Sequence, residues 1–165
     1  MMKIVGEFSW YLNEKTNDIE PSVYTKIEKD YVNYLKKVMN LFFKKNEINN
    51  INKIEYKGLI ANLLLDYAGN NYKNRISISK EQLEKAEVNI RKVIDREKDE
   101  YYFGPGESWG AEIKKEGVLI YFVFQDDYFD IMPINCFYEI LVNWRKFLDT
   151  EPNLENKVII EYEGD

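Results

Sequence analysis

Three groups of residues have the types and spacing that chemistry uses. Gly106-Glu107-Ser108-Trp109-Gly110 satisfies the Gly-x-Ser-x-Gly pattern. In that motif a tight strand-to-helix turn presents a serine beside a histidine base and an oxyanion hole. Asp126, Asp127 and Asp130 form an Asp-Asp-x-x-Asp cluster, of the kind that holds magnesium or calcium through oxygen ligands. Cys136 falls where the first turn of a helix is expected, and a helix N-terminus lowers a thiol pKa.

Each group lacks something its chemistry needs. The 165 residues include no histidine, so the commonest general base and the commonest transition-metal ligand are missing. Ser108 has no imidazole to activate it, and its loop runs into an expected strand and not a helix. Lys114 and Lys115, the nearest substitute bases, belong to an expected solvated turn. No second acidic cluster completes a metal site around Asp126. Three readings of that cluster stay open: a hydrated turn held by side-chain-to-backbone hydrogen bonds, a metal site, or a contact for a basic partner. Cys136 is the single cysteine, which rules out an internal disulfide and a cysteine-only zinc site and leaves the thiol inert. No cofactor is implied.

The elements that must position these residues follow from periodicity. Lys3 to Trp10 reads as a first strand and Asn13 to Pro21 as a loop. Tyr24, Ile27, Tyr31, Leu35, Val38 and Leu41 recur every three or four residues, which predicts a helix from Ser22, its N-cap, to Lys45. After a polar break at Asn46–Asn52, Tyr56, Leu59, Ile60, Leu63, Leu64 and Tyr67 predict a second helix, stopped by Gly69 and Asn70-Asn71. Arg75 to Ser79 reads as a short extended piece. Ser79 and Gln82 form a capping box opening a third helix whose charged side runs from Glu84 to Glu100. The period then changes. Trp109, Ala111 and Ile113 alternate as a half-buried strand, Lys114 to Gly117 makes a hairpin loop, and Val118 to Phe124 is a central strand. Gln125-Asp126-Asp127 turns the chain into a third strand, Tyr128 to Met132. Pro133 then opens an amphipathic helix with the stripe Ile134, Phe137, Ile140, Leu141, Trp144, Phe147 and Leu148. Lys157 to Tyr162 predicts a last, edge strand.

The charge is unevenly placed. Residues 1–100 carry 18 Lys/Arg against 16 Asp/Glu, and residues 101–165 carry 5 against 13. A face of that sign repels phosphate backbones and speeds encounter with basic partners. Direct nucleic-acid binding is therefore not expected. The longest strongly apolar stretch, Val118 to Phe124, is too short to cross a bilayer. The N-terminus has no apolar run of the secretory type, so a cytoplasmic protein is expected.

The block Phe137-Tyr-Glu-Ile-Leu-Val-Asn-Trp144-Arg-Lys-Phe147-Leu148, reached through strands and a proline-initiated helix, resembles the ending of small bacterial immunity proteins. These are the antidotes to polymorphic toxins, including those of contact-dependent inhibition systems. The resemblance covers about forty residues, mostly packing positions. It implies a non-catalytic protein that binds a cognate toxin, in some cases by covering the basic site of a nuclease domain.

The resulting expectation is a single α+β domain over residues 1–165: a helical N-terminal half packed on a small, mainly antiparallel sheet, followed by a C-terminal amphipathic helix. Partner contacts are expected from Glu107, Glu112, Glu116, Asp126, Asp127 and Asp130, with Tyr101, Tyr102 and Trp109 as aromatic anchors. For Tyr101 and Tyr102, core packing remains an equal alternative. The competing functional readings are a structural or regulatory interaction module, homodimeric in one form, and a metal-dependent enzyme built on the carboxylates.

Overall fold

A computed structural model describes residues 2–49, 55–68, 72–104 and 108–164, with the backbone alone for residues 67–68 and 72–79. The chain opens in a long hairpin of β1 (Met2–Asn13) and β2 (Asp18–Lys29). Its turn uses Asn17 at φ 58°, a left-handed conformation that asparagine tolerates. The Asn17 N–H closes the turn on the Asn13 carbonyl at 2.7 Å. Along β1, Met2, Ile4, Phe8 and Trp10 are buried at every second position, the pattern of a sheet with one face on a core.

Helices follow: α1 (Tyr31–Val38), a 3-10 turn at Met39–Leu41, α2 (Lys45–Ile48), α3 (Leu59–Ala68) and α4 (Tyr72–Ile94). Four consecutive antiparallel strands come next, β3 (Glu100–Phe103), β4 (Trp109–Lys114), β5 (Gly117–Phe122) and β6 (Gln125–Met132). They pair in the order β3-β4-β5-β6. Then α5 (Ile134–Leu148) leads to β7 (Lys157–Gly164), which joins the first sheet in the order β2-β1-β7.

The expected architecture is corrected on two points. The fold is α+β, but strands β1 and β2 precede every helix, and the chain ends in strand β7 and not in the amphipathic helix. The residues expected to begin the first helix, Ser22 to Lys29, form most of β2 instead. Val23, Thr25 and Ile27 lie opposite Phe8, Gly6 and Ile4 of β1, so their period of two is what the packing uses. Ser22 faces Ser9 across that ladder and caps nothing. The helix starts only after Asp30, whose φ of 59° breaks the strand. The capping box is corrected as well: α4 begins at Tyr72 and passes through Ser79 and Gln82, and Arg75 to Ser79 is helical. The helix stop at Gly69, Asn70 and Asn71 lies outside the described residues, as does part of the break at Asn46–Asn52.

The last helix is as the sequence predicts. Pro133 holds extended backbone before it, and the Phe137 N–H bonds to the Pro133 carbonyl at 3.0 Å. Every residue of the predicted stripe is buried. Trp144 meets Phe8 edge-on at 5.5 Å between centroids, and Phe147 stacks on Trp10 at 5.0 Å, so α5 closes the first sheet. Its other side holds α4 through Arg145, 2.8 Å from Glu87 and 3.7 Å from Glu84. The second sheet contributes Phe103, Ala111, Ile113, Val118, Ile120 and Met132 to the same core. Among the described residues no helix is long and apolar enough to cross a membrane.

Candidate protein-docking surface

The second sheet carries a chemically uneven hairpin. Phe122 pairs with Gln125, which leaves Val123-Phe124 as a two-residue turn between β5 and β6. Such turns favour Asn-Gly or glycine pairs because the primed types need positive φ. Here both turn residues are apolar and keep negative φ, and the ladder shifts register at Tyr121/Phe122 to accommodate them. The Val123 N–H is tied to the Ser108 carbonyl at 2.9 Å.

Behind the turn lies an aromatic cluster. The Trp109 ring is 5.0 Å from Phe122 and 6.1 Å from Tyr128, and Phe122 is 5.4 Å from Phe124. Trp109 and Phe122 continue the row of Ala111 and Ile120, whose side chains enter the core. Exposure climbs along this row: Ile120 is buried, Phe122 half-buried, and Phe124 is 75 % exposed. Lys57 fixes the base of the cluster, its ammonium 5.7 Å from the Tyr128 ring and bonded to the Phe129 carbonyl at 3.2 Å. Asp126 and Asp127 stand exposed beside the tip, the latter accepting from Gln125 Nε2 at 2.9 Å.

The Asp-Asp-x-x-Asp cluster is divided by the strand. Asp130, expected on the surface as a partner contact, is fully buried. Its carboxylate accepts from the Lys57 N–H at 2.9 Å and the Leu59 N–H at 2.7 Å, and so caps the N-terminus of α3 from another element. Burial pushes its carboxyl above the usual aspartate value, while the N–H groups of Leu59, Lys57 and Gly58 and the Lys57 charge pull the other way. Among the described residues, no group of three potential ligands could hold a metal ion.

The other expected contacts are spread over the sheet. Tyr102 is exposed and faces Glu112 across the β3–β4 ladder, at the outer end of a row that continues into buried Leu119 and Ile131. The Glu112 charge is the first cause raising the Tyr102 phenol. Glu112 is half-buried and bonded to Lys114 at 2.7 Å. Lys114, expected in a solvated turn, ends β4 and donates to the Leu41 carbonyl at 2.9 Å. Tyr101 is half-buried against the core with Lys98 over its ring, and desolvation raises its phenol. Glu116 belongs to the β4–β5 turn, and with six residues in β5 that turn is about 20 Å from the β5–β6 tip. Glu107 lies outside the described residues. Of the nine, Trp109, Asp126 and Asp127 are brought together at the tip.

The serine motif is followed by a strand and not by the helix that an elbow needs. Gly106 and Glu107 lie outside the described residues, and Ser108 leads directly into β4. A Cβ at Gly110 would stand 2.7 Å from the Tyr121 ring, so this glycine makes room for an aromatic side chain and not for a nucleophile turn. Cys136 is buried on α5 and its thiol is pushed far up by desolvation, the opposite of activation.

Comparison with protein-family models, curated proteins and solved structures finds no match.

Sequence reasoning missed Phe122, Val123, Phe124 and Tyr128, because Val118 to Phe124 reads as one buried strand. The overlooked signal is length. The run from 118 to 124 is seven residues long, two more than β5 takes from it, and its last two stand in the turn. A separate groove of about 710 Å³ opens beside β2, lined by Lys26, Lys29 and Lys57 against Glu28, Asp30 and Glu55, a balanced set with no preferred ligand charge.

Proposed function

We propose that this chain is a non-catalytic inhibitor of the immunity type, whose β5–β6 tip docks on a basic surface of a cognate protein toxin. The carrying observation is the exposed Val123-Phe124 pair on the Trp109–Phe122–Tyr128 cluster, with Asp126 and Asp127 beside it. Apolar anchors ringed by polar groups are how a few residues supply most of an interface's affinity. Exposed carboxylates add steering, and the acid excess of residues 101–165 acts at longer range in the same sense. A basic nucleic-acid site on a nuclease domain has the matching sign. The antidote role itself comes from the resemblance of the α5 block to small bacterial immunity proteins.

The test is co-expression with the C-terminal domain of a large secreted protein encoded beside this gene. Wild-type chain protects the cells and co-purifies with that domain, while F124D, at unchanged circular dichroism, does neither. Wild-type chain that neither protects nor binds overturns the inhibitor reading in favour of a regulatory interaction module.

A further inference from the structure

The two edges of the first sheet are treated differently by the rest of the chain. Beside β2 runs the 55–58 segment: the Tyr56 hydroxyl donates to Thr25 Oγ1 at 2.8 Å, and a Cβ at Gly58 would be 3.3 Å from the Thr25 carbonyl. Nothing comparable among the described residues covers β7. Among the described residues it pairs with β1 alone, and none of its eight residues is buried. It contains no proline and no register shift against β1, so a straight eight-residue edge faces outward. Natural edges are usually shortened, bulged or studded with lysine to prevent pairing. This one has its only lysine at the first position.

We propose that β7 pairs antiparallel with β7 of a second copy of this chain, about a two-fold axis at Ile160. The sequence of the strand is self-complementary in that register. Lys157 falls opposite the partner's Glu163, and by symmetry the same pair forms twice. On the inner face Val158 meets the partner's Tyr162, and Ile160 meets its own copy. Val158, Ile160 and Tyr162 are half-buried in the single chain and pack against its core, so pairing continues that core across the axis. Ile159, 58 % exposed, falls opposite the partner's Glu161. No like charges oppose each other. The product is a six-stranded sheet, β2-β1-β7 joined to its copy, closed by an isologous contact. Lys157 bonds Glu7 at 2.8 Å and Lys3 bonds Glu161 at 3.3 Å, which ties β7 to β1 at its first and fifth residues. This interface is on the first sheet and does not depend on the function of the β5–β6 tip.

The experiment is a charge exchange read by sedimentation equilibrium on the full chain. Wild type gives twice the 19.8 kDa chain mass. K157E alone opposes Glu to Glu at both ends, E163K alone opposes Lys to Lys, and each gives the single-chain mass. An equimolar mixture of the two variants restores the doubled mass, because each Glu now meets a Lys. I160C forms a disulfide with its own copy under mild oxidation, and buried Cys136 does not compete. A wild-type chain that stays single at high micromolar concentration overturns the proposal. So does a dimer that E163K leaves intact, since another surface or register then makes it. Unchanged circular dichroism of both single variants separates lost pairing from lost folding.

Discussion

Asp130 Oδ2 on β6 accepts the backbone N–H of Leu59 at 2.7 Å, although the two residues are 71 positions apart in the chain. The bond fixes the start of α3 to the far strand of the second sheet. It also takes out of solvent the one carboxylate of the acidic cluster that Asp126 and Asp127 leave behind.

Removing that carboxylate should be expensive. D130A leaves the Leu59 and Lys57 N–H groups without their acceptor. A buried donor left unsatisfied costs about 1–3 kcal/mol, so the loss should be about 3 kcal/mol by urea denaturation. A loss below about 0.5 kcal/mol, the range of a surface substitution, would show that the cap is not structural.

The same residue gives a pH dependence of defined sign. Its carboxyl is raised above the ordinary 3.8, with desolvation as the leading cause. The folded chain therefore holds this proton more tightly than the unfolded chain. The contribution favouring the fold is complete below the unfolded value and is lost as pH rises through the raised folded value. The unfolding free energy of wild type minus that of D130N should accordingly fall from acid to neutral pH. A difference that rises with pH would mean that the N–H groups and Lys57 outweigh burial.

At the hairpin tip, stability and binding should separate. Phe124 is 75 % exposed and Val123 46 %, so V123S/F124S should change stability by no more than about 0.5 kcal/mol. Loss of the two apolar anchors should weaken partner affinity by about 30-fold or more, as at an interface hot spot. Calorimetric titration against the toxin domain reads the second effect, and an unchanged affinity would move the interface elsewhere.

The rim carboxylates should act on rate. D126N/D127N should slow association about tenfold at low salt and flatten its salt dependence, with a smaller change in dissociation. Stopped-flow fluorescence at two ionic strengths checks this. An unaltered association rate at low salt would remove Asp126 and Asp127 from the docking face.

In the core, Trp144 is fully buried and its indole N–H has no hydrogen-bond acceptor among the described residues. W144F removes that orphaned donor while leaving a smaller cavity than W144A. The alanine variant should lose about 3–5 kcal/mol, the usual range for a buried tryptophan, and the phenylalanine variant about half as much. Thermal unfolding of the pair checks this, and equal losses would show that the ring volume kept by phenylalanine is immaterial.

The sequence by itself determined α5, the alternation of β4, the β4–β5 hairpin and the edge strand β7. In each, one periodicity dominates and a proline or glycine marks a boundary, so local pattern and packing agree. It also ruled out a histidine-dependent serine site, which needs only the composition. Residues 22–29 were different. Val23, Thr25 and Ile27 fit a strand, while Tyr24, Ile27 and Tyr31 fit a helix, and only pairing with β1 selected the first. At 72–82 a capping pattern lay inside a helix whose preceding turns are also helical, so the local signal marked no boundary. The tertiary structure alone decided which carboxylates are exposed. Asp126, Asp127 and Asp130 look equivalent in sequence, yet Asp130 lies in the regular ladder under the N-terminus of α3, whose backbone N–H groups partly offset its burial, while Asp126 and Asp127 fall at the register shift beside the tip. It likewise put Val123 and Phe124 in a turn, because the register of β5 on β6 left them no partner, and so placed an apolar tip beside the two acids that remained outside.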